Sequence, residues 1–143
     1  MSKSGPIVLV EDDPDDKELF ECIVKELNIQ NKIEWFVDAE RAYNYLDNTL
    51  EPVFLIFCDI NMPGKNGLEF KREIDVNPTL RRKSIPFIYL STAATQKDVD
   101  TAYIELTIQG FFKKGNNYEE MKLLLSSIFN YWMNCKHPNS QNS

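Results

Sequence analysis

Two apolar runs in this chain end directly on carboxylates. Val53 to Cys58 is followed by Asp59, and Ile7 to Val10 is followed by Glu11, Asp12 and Asp13. A third run, Ile85 to Leu90, ends on the hydroxyls of Ser91 and Thr92. A short one beginning at Gly110 ends on Lys113 and Lys114. Singly these are weak signals: an acid after a strand is often a helix cap, a Ser-Thr pair is usually a turn, and a lysine pair is usually solvated. Together they make an acid cluster, a lone Asp, a hydroxyl and a lysine, each just past a separate strand. Carboxylates crowded into one pocket repel one another, and a hard divalent cation relieves that repulsion. The residue types suit Mg2+, with Asp12 and Asp59 as direct ligands, Glu11 acting through water and the main-chain carbonyl of Asn61 completing the protein set. The ion would screen an incoming phosphate from Asp59. Lys114 would add a second positive charge, and the Ser91 hydroxyl would donate to a phosphoryl oxygen. Asp59 then reads as a nucleophile that takes up a phosphoryl group as an acyl phosphate.

These groups can meet only if the intervening chain brings the strand ends together. Ile7–Val10 and Val53–Cys58 are continuous apolar runs of the kind found in strands buried on both faces. Residues 32 to 37 alternate partly and suggest a strand nearer a sheet edge; residues 85–90 and 110–113 complete a set of five. Helices are expected between them. Asp13 with Pro14 opens one that runs to about Leu27, and Asp38 caps a second carrying Ala42, Tyr43, Leu46 and Leu50. A third follows Gly67, carries Leu68, Phe70, Ile74 and Val76, and stops at Asn77-Pro78; residues 80–84 read as a basic loop. The span from Thr95 to Leu106 places Val99, Ala102, Tyr103 and Leu106 on one face. Asn117 and Glu120 form the pattern of a capping box before a last helix with Met121, Leu124, Leu125, Ile128 and Trp132. Alternation of this kind predicts an α/β fold, a parallel sheet with helices on both faces, whose strand carboxyl ends share one edge.

Composition narrows the function. The 143 residues suit one domain, placed at 5–135, with a flexible polar tail over 136–143. No apolar run approaches the roughly 20 residues of a membrane helix, no signal peptide is evident, and the reading is a cytoplasmic protein with no membrane partner. The net charge of −6 disfavours a nucleic-acid surface. Three cysteines, Cys22, Cys58 and Cys135, lack metal spacing, and two of them fall in apolar patterns that suggest core positions. The only histidine, His137, lies in the polar tail, which disfavours catalysis built on an imidazole.

The segments VLVEDDPDD, CDINMPGKNG, YLSTAA and GFFKKGNNYEE, in this order, resemble the receiver domain of two-component response regulators, over about residues 5–133. The acidic start is similar to that of the small stand-alone receivers. The resemblance implies a flavodoxin-like (βα)5 fold, a doubly wound five-stranded parallel sheet of strand order 2-1-3-4-5. It implies phosphorylation of Asp59 by a histidine kinase or histidine phosphotransfer protein, with self-phosphorylation and autodephosphorylation chemistry only and no enzymatic turnover. Glu11 and Asp12 fill the acidic-pair positions, Ser91 that of the switch hydroxyl and Phe111 that of the aromatic switch. Output would pass to an unknown downstream protein, and a phosphorylation-dependent homodimer stays open. Two departures stand out. The family's lysine normally precedes proline, whereas Lys114 precedes Gly115, so a trans bond is expected there. Counting from Ser91 favours Lys113 as that lysine and counting from Gly110 favours Lys114, which implies one extra residue near Thr107 to Gln109. A rival class, the Asp-nucleophile phosphatases of the haloacid-dehalogenase type, needs a second Asp where this chain has Asn61.

Overall fold

A computed structural model describes residues 2–138. Five strands, β1 (Ile7–Val10), β2 (Ile33–Phe36), β3 (Leu55–Cys58), β4 (Phe87–Ser91) and β5 (Gly110–Lys113), form one sheet in the order β2-β1-β3-β4-β5. Every pairing is parallel, with Ile7 opposite both Ile33 and Leu55, and Ser91 opposite Lys113. The flavodoxin-like order expected from the resemblance is therefore present. Side chains alternate between faces along a strand, and both faces are covered. Val8, Val10, Ile56, Cys58, Phe87 and Tyr89 pack under α2 (Ala39–Asn48), α3 (Gly67–Val76), α4 (Pro78–Lys83) and α5 (Gln96–Glu105). Ile7, Leu9, Leu55, Phe57, Ile88 and Leu90 pack under α1 (Pro14–Glu26) and α6 (Tyr118–Asn134). Burial on both sides explains why the central strands read as unbroken apolar runs, while β2 at the edge is half-buried throughout.

The helix starts follow their capping residues. Asp13 accepts from the amide of Asp15 with Pro14 at the first helical position, and Asp38 accepts from Arg41. Asn66/Glu69 and Thr95/Asp98 close full capping boxes. At α6 the box is only half made: Asn117 accepts from the Glu120 amide, but the Glu120 carboxylate turns to the amide of Asn116.

Several sequence expectations are corrected. Residues 80–84 are not a loop: Asn77, which ends α3, also caps α4 through the amides of Thr79 and Leu80, and Leu80 is buried. Leu50 lies beyond the end of α2 and is fully exposed, and Val76 on the last turn of α3 is 75% exposed. Cys22 is exposed, whereas Cys58 is buried. The expected polar tail is not loose at its start. His137 is buried, its Nε2 lies 2.6 Å from the carbonyl of Phe54, and its ring rests on Phe54 and Trp132. The remainder of that tail, 139–143, lies outside the described residues. The turn before β5, where an extra residue was expected, is pinned down. Thr107 bonds Asp75 and Lys71 of α3, and the Gln109 side chain accepts from the amide of Phe87.

Candidate functional site

The parallel ladder runs past the ends of β1 and β3 and carries two acids to the same edge. The amide of Glu11 donates to Phe36 O at 3.0 Å, and that of Asp59 donates to Val10 O at 3.1 Å. Glu11 is buried, its carbonyl accepting from the indole of Trp35 at 2.8 Å. After Asp59 the chain turns at once. The Asn61 amide donates to Asp59 Oδ1 at 3.2 Å, and the Asn61 side chain donates to Ala93 O, tying this loop to the one after β4. Gly67 then enters α3 so close to the site that a Cβ there would lie 2.4 Å from the carbonyl oxygen of Asp59.

Lys114 reaches the cluster from beyond β5. Its amide donates to Ser91 O at 2.9 Å, and its Nζ sits 2.6 Å from Glu11 Oε1, 2.9 Å from Asp16 Oδ2 and 3.1 Å from Asp59 Oδ2. Lys113 is exposed. Only one of two neighbouring residues can face the site, and here it is Lys114. The Lys114–Gly115 bond is trans. Gly115 lies against the start of α6, where a Cβ would stand 2.6 Å from the amide nitrogen of Met121.

One ligand atom from each of Glu11, Asp12 and Asp59 falls within 4.8 Å of the others. Glu11, Asp16 and Asp59 share a single ammonium, that of Lys114, and Asp12 adds a further carboxylate beside Glu11 and Asp59. Burial pushes the Glu11 carboxyl up to about 7, helped by the charge of Asp59 and opposed by Lys114. Burial works against the charge of Lys114, but its bond to Glu11 and the surrounding carboxylates outweigh this and keep it protonated. Asp12 makes no hydrogen bond or ion pair among the described residues. An excess of hard, partly unpartnered oxygen donors is the donor set of a small divalent cation.

The other sequence candidates lie nearby. Ser91 is buried, and its hydroxyl accepts from the amide of Ala93 at 3.4 Å. Thr92 lines the cleft of about 60 Å³ beside Asp59 and Lys114, together with Leu9, Leu90 and Met121. Phe111 is half-buried against Tyr89, ring centroids 5.5 Å apart, and the Tyr89 hydroxyl donates to Gly67 O at 2.7 Å. Asp16 was not expected at the site. It is the third residue of α1 after its cap, a position also explained by the helix dipole.

A doubly wound sheet with carboxylates and a lysine gathered at the carboxyl edge of its strands defines a receiver-type α/β protein. The family model of the response regulator receiver domain matches residues 7–126. The response regulator Rcp1 of Synechocystis sp. is 31% identical over 133 residues, covering 89% of this chain and 88% of its own length. The crystal structure of the phosphorylated cyanobacterial phytochrome response regulator RcpA matches with a TM-score of 0.84 at 27% identity, over 94% of this chain and 98% of that one. The Mn(2+)-bound form of Rcp1 matches with a TM-score of 0.79 at 29% identity, over 92% and 96%. This chain belongs to the response regulator receiver domain family and is a component of two-component signalling.

Proposed function

We propose that Asp59 accepts a phosphoryl group from a histidine kinase or histidine phosphotransfer protein, and that the modified site alters a protein-binding face. The observation that carries this reading is the ammonium of Lys114 held between Glu11 and Asp59, with the carboxylate of Asp12 beside them. A carboxylate oxygen of Asp59 attacks phosphorus. The bond from phosphorus to the donor's nitrogen, or to oxygen in acetyl phosphate, breaks with its electron pair leaving on the donor, and an aspartyl phosphate remains. Lys114 neutralises charge on the phosphoryl oxygens, and the amide of Asn61 orients Asp59 through Oδ1. Asp12, Asp59 and the Asn61 carbonyl would hold Mg2+ directly and Glu11 through water; the bound ion would screen the phosphate from the acids. The Mn2+ in the Rcp1 structure supports a divalent ion in this family.

Switching follows from the two groups behind the site. Ser91 gives up the Ala93 amide for a phosphoryl oxygen, its loop moves with it, and Phe111 turns further in. The face made by α5, β5 and α6 changes as a result, and Tyr103 and Ile104, exposed on α5, offer apolar contacts to a downstream protein. A kinase partner implies a cytoplasmic location. Incubation with Mg2+ and acetyl phosphate tests the reading: intact mass rises by one phosphate in the native protein and not in Asp59→Asn. A gain that survives Asp59→Asn overturns it.

A further inference from the structure

We infer that Asp16 is a positioning residue for phosphoryl transfer, the fixed anchor that aims Lys114 at Asp59; this rests on the phosphoacceptor reading above. An ammonium carries three donors. Those of Lys114 are all taken by carboxylates, of Glu11, Asp16 and Asp59. Two of these partners have other duties. Glu11 and Asp59 belong with Asp12 to the group whose ligand atoms lie within 4.8 Å of one another, and Asp59 is the acceptor itself. A bound cation and a phosphoryl group would compete with the lysine for both. Asp16 stands outside that group, so its bond to Lys114 at 2.9 Å is the one that the chemistry leaves in place. Asp16 is also rigidly carried. It sits in the first turn of α1, whose start is fixed by Pro14 and by the bond from the Asp15 amide to Asp13. Of the three acids that open this helix, Asp13 caps it and neither Asp13 nor Asp15 touches Lys114; Asp16 alone does. The four-carbon stem of lysine is rotamer-rich. One donor pinned on α1 leaves the other two directed at Glu11 and Asp59, where the phosphoryl oxygens arrive. The Asp16 side chain is 37% exposed, so its partner is Lys114 rather than the core.

The test measures the rate of phosphorylation by acetyl phosphate with Mg2+ in the native protein, Asp16→Ala, Asp16→Asn, Asp16→Glu, Lys114→Met and the double variant Asp16→Ala/Lys114→Met, each checked for folding by circular dichroism. Removing an outer-shell partner that orients a metal ligand typically costs 10–100-fold; by analogy a loss at the low end, about tenfold, is expected for Asp16→Ala. Asp16→Asn keeps the acceptor oxygen and loses the charge, so it falls between; Asp16→Glu recovers most of the rate. In the Lys114→Met background Asp16→Ala changes the rate less than about twofold, because the two side chains act as one unit. The 15N signal of the Lys114 ammonium in the metal-free protein provides an independent readout: it is sharp in the native protein and broadened by solvent exchange in Asp16→Asn. Native-like rates in Asp16→Ala, a slowdown that persists undiminished in Lys114→Met, or an unchanged ammonium signal overturns the inference. If the native protein takes up no phosphate, the phosphoacceptor reading fails and the inference falls with it. If the native protein is phosphorylated and the Asp16 variants match it, the inference alone fails.

Discussion

Gly67→Ala joins the fold to the chemistry in a single methyl group. A Cβ at this position would lie 2.4 Å from the carbonyl oxygen of Asp59, 2.9 Å from Cα of Ile60 and 3.1 Å from a ring carbon of Tyr89. Ordinary contact begins near 3.4 Å, so the Asp59 carbonyl must recede by about 1 Å. The first two obstacles are backbone and cannot rotate away. The Gly67 amide is also bonded to Ile60 O at 2.9 Å, and its carbonyl receives the Tyr89 hydroxyl, so α3 cannot simply retreat. Overpacking of this kind costs about 1–3 kcal/mol, against which alanine regains at most about 1 kcal/mol of helix propensity. A net loss of about 1–2 kcal/mol lowers the melting temperature by roughly 3–7 °C for a domain of this size. The larger effect falls on reactivity. Displacing the acceptor by about 1 Å from Lys114 can cost on the order of 100-fold in rate. Urea unfolding followed by tryptophan fluorescence gives the first quantity, and the acetyl phosphate reaction gives the second. Stability within about 0.5 kcal/mol of native, the range of an uneventful surface change, together with a native phosphorylation rate, would refute the claim that this close approach sets the position of Asp59.

Three further outcomes are expected. Tyr89→Phe removes the side-chain donor to the carbonyl of Gly67 and costs about 0.5–1.5 kcal/mol in urea unfolding; a loss under about 0.3 kcal/mol would mean the bond contributes nothing net. Gly115→Pro, which restores the residue usual in the family, destabilises by about 2 kcal/mol or more, because any Cβ there meets the Met121 amide nitrogen at 2.6 Å; a variant as stable as native contradicts the packing argument. Burial holds the His137 imidazole below its ordinary value of 6.5, against the bond to Phe54 O. Between the folded and unfolded values the unfolded chain binds the extra proton. The contribution of His137 to stability is therefore full above about pH 6.5 and is lost as pH falls through the folded value. As the only histidine, it gives one set of imidazole resonances by NMR; a midpoint at or above 6.5 would contradict its burial.

Much of this arrangement could be read from residue types, and what could not has physical causes. β1 and β3 were legible because burial on both faces makes a strand continuously apolar. The gathering of Glu11, Asp12 and Asp59 followed from the parallel sheet, which puts every strand's carboxyl end on one edge. α4 was hidden because Leu80 is its one buried residue, set before Arg81, Arg82 and Lys83, and because Asn77-Pro78 serves equally well as a stop and a start. His137 gave no signal, since its burial depends on the carbonyl of Phe54, 83 residues earlier. Leu50 and Val76 continue a helical period beyond, or at, the frayed end of the helix that would bury them. Counting alone left Lys113 and Lys114 open. The choice fell to the register of β5, which sets Lys113 opposite Ser91 and delivers Lys114 to the acids. Asp16 was indistinguishable in sequence from Asp15, because both suit the positive end of a helix and only three-dimensional placement separates them.

A crystal grown with Mn2+ and beryllofluoride, examined by anomalous scattering, tests the acid-and-lysine site most directly. The account requires one anomalous peak between the carboxylates of Asp12 and Asp59 and the carbonyl of Asn61, and a beryllofluoride group on Asp59 with Lys114 Nζ and Ser91 Oγ on its fluorines. An ion held elsewhere, or an adduct on a different residue, would contradict it.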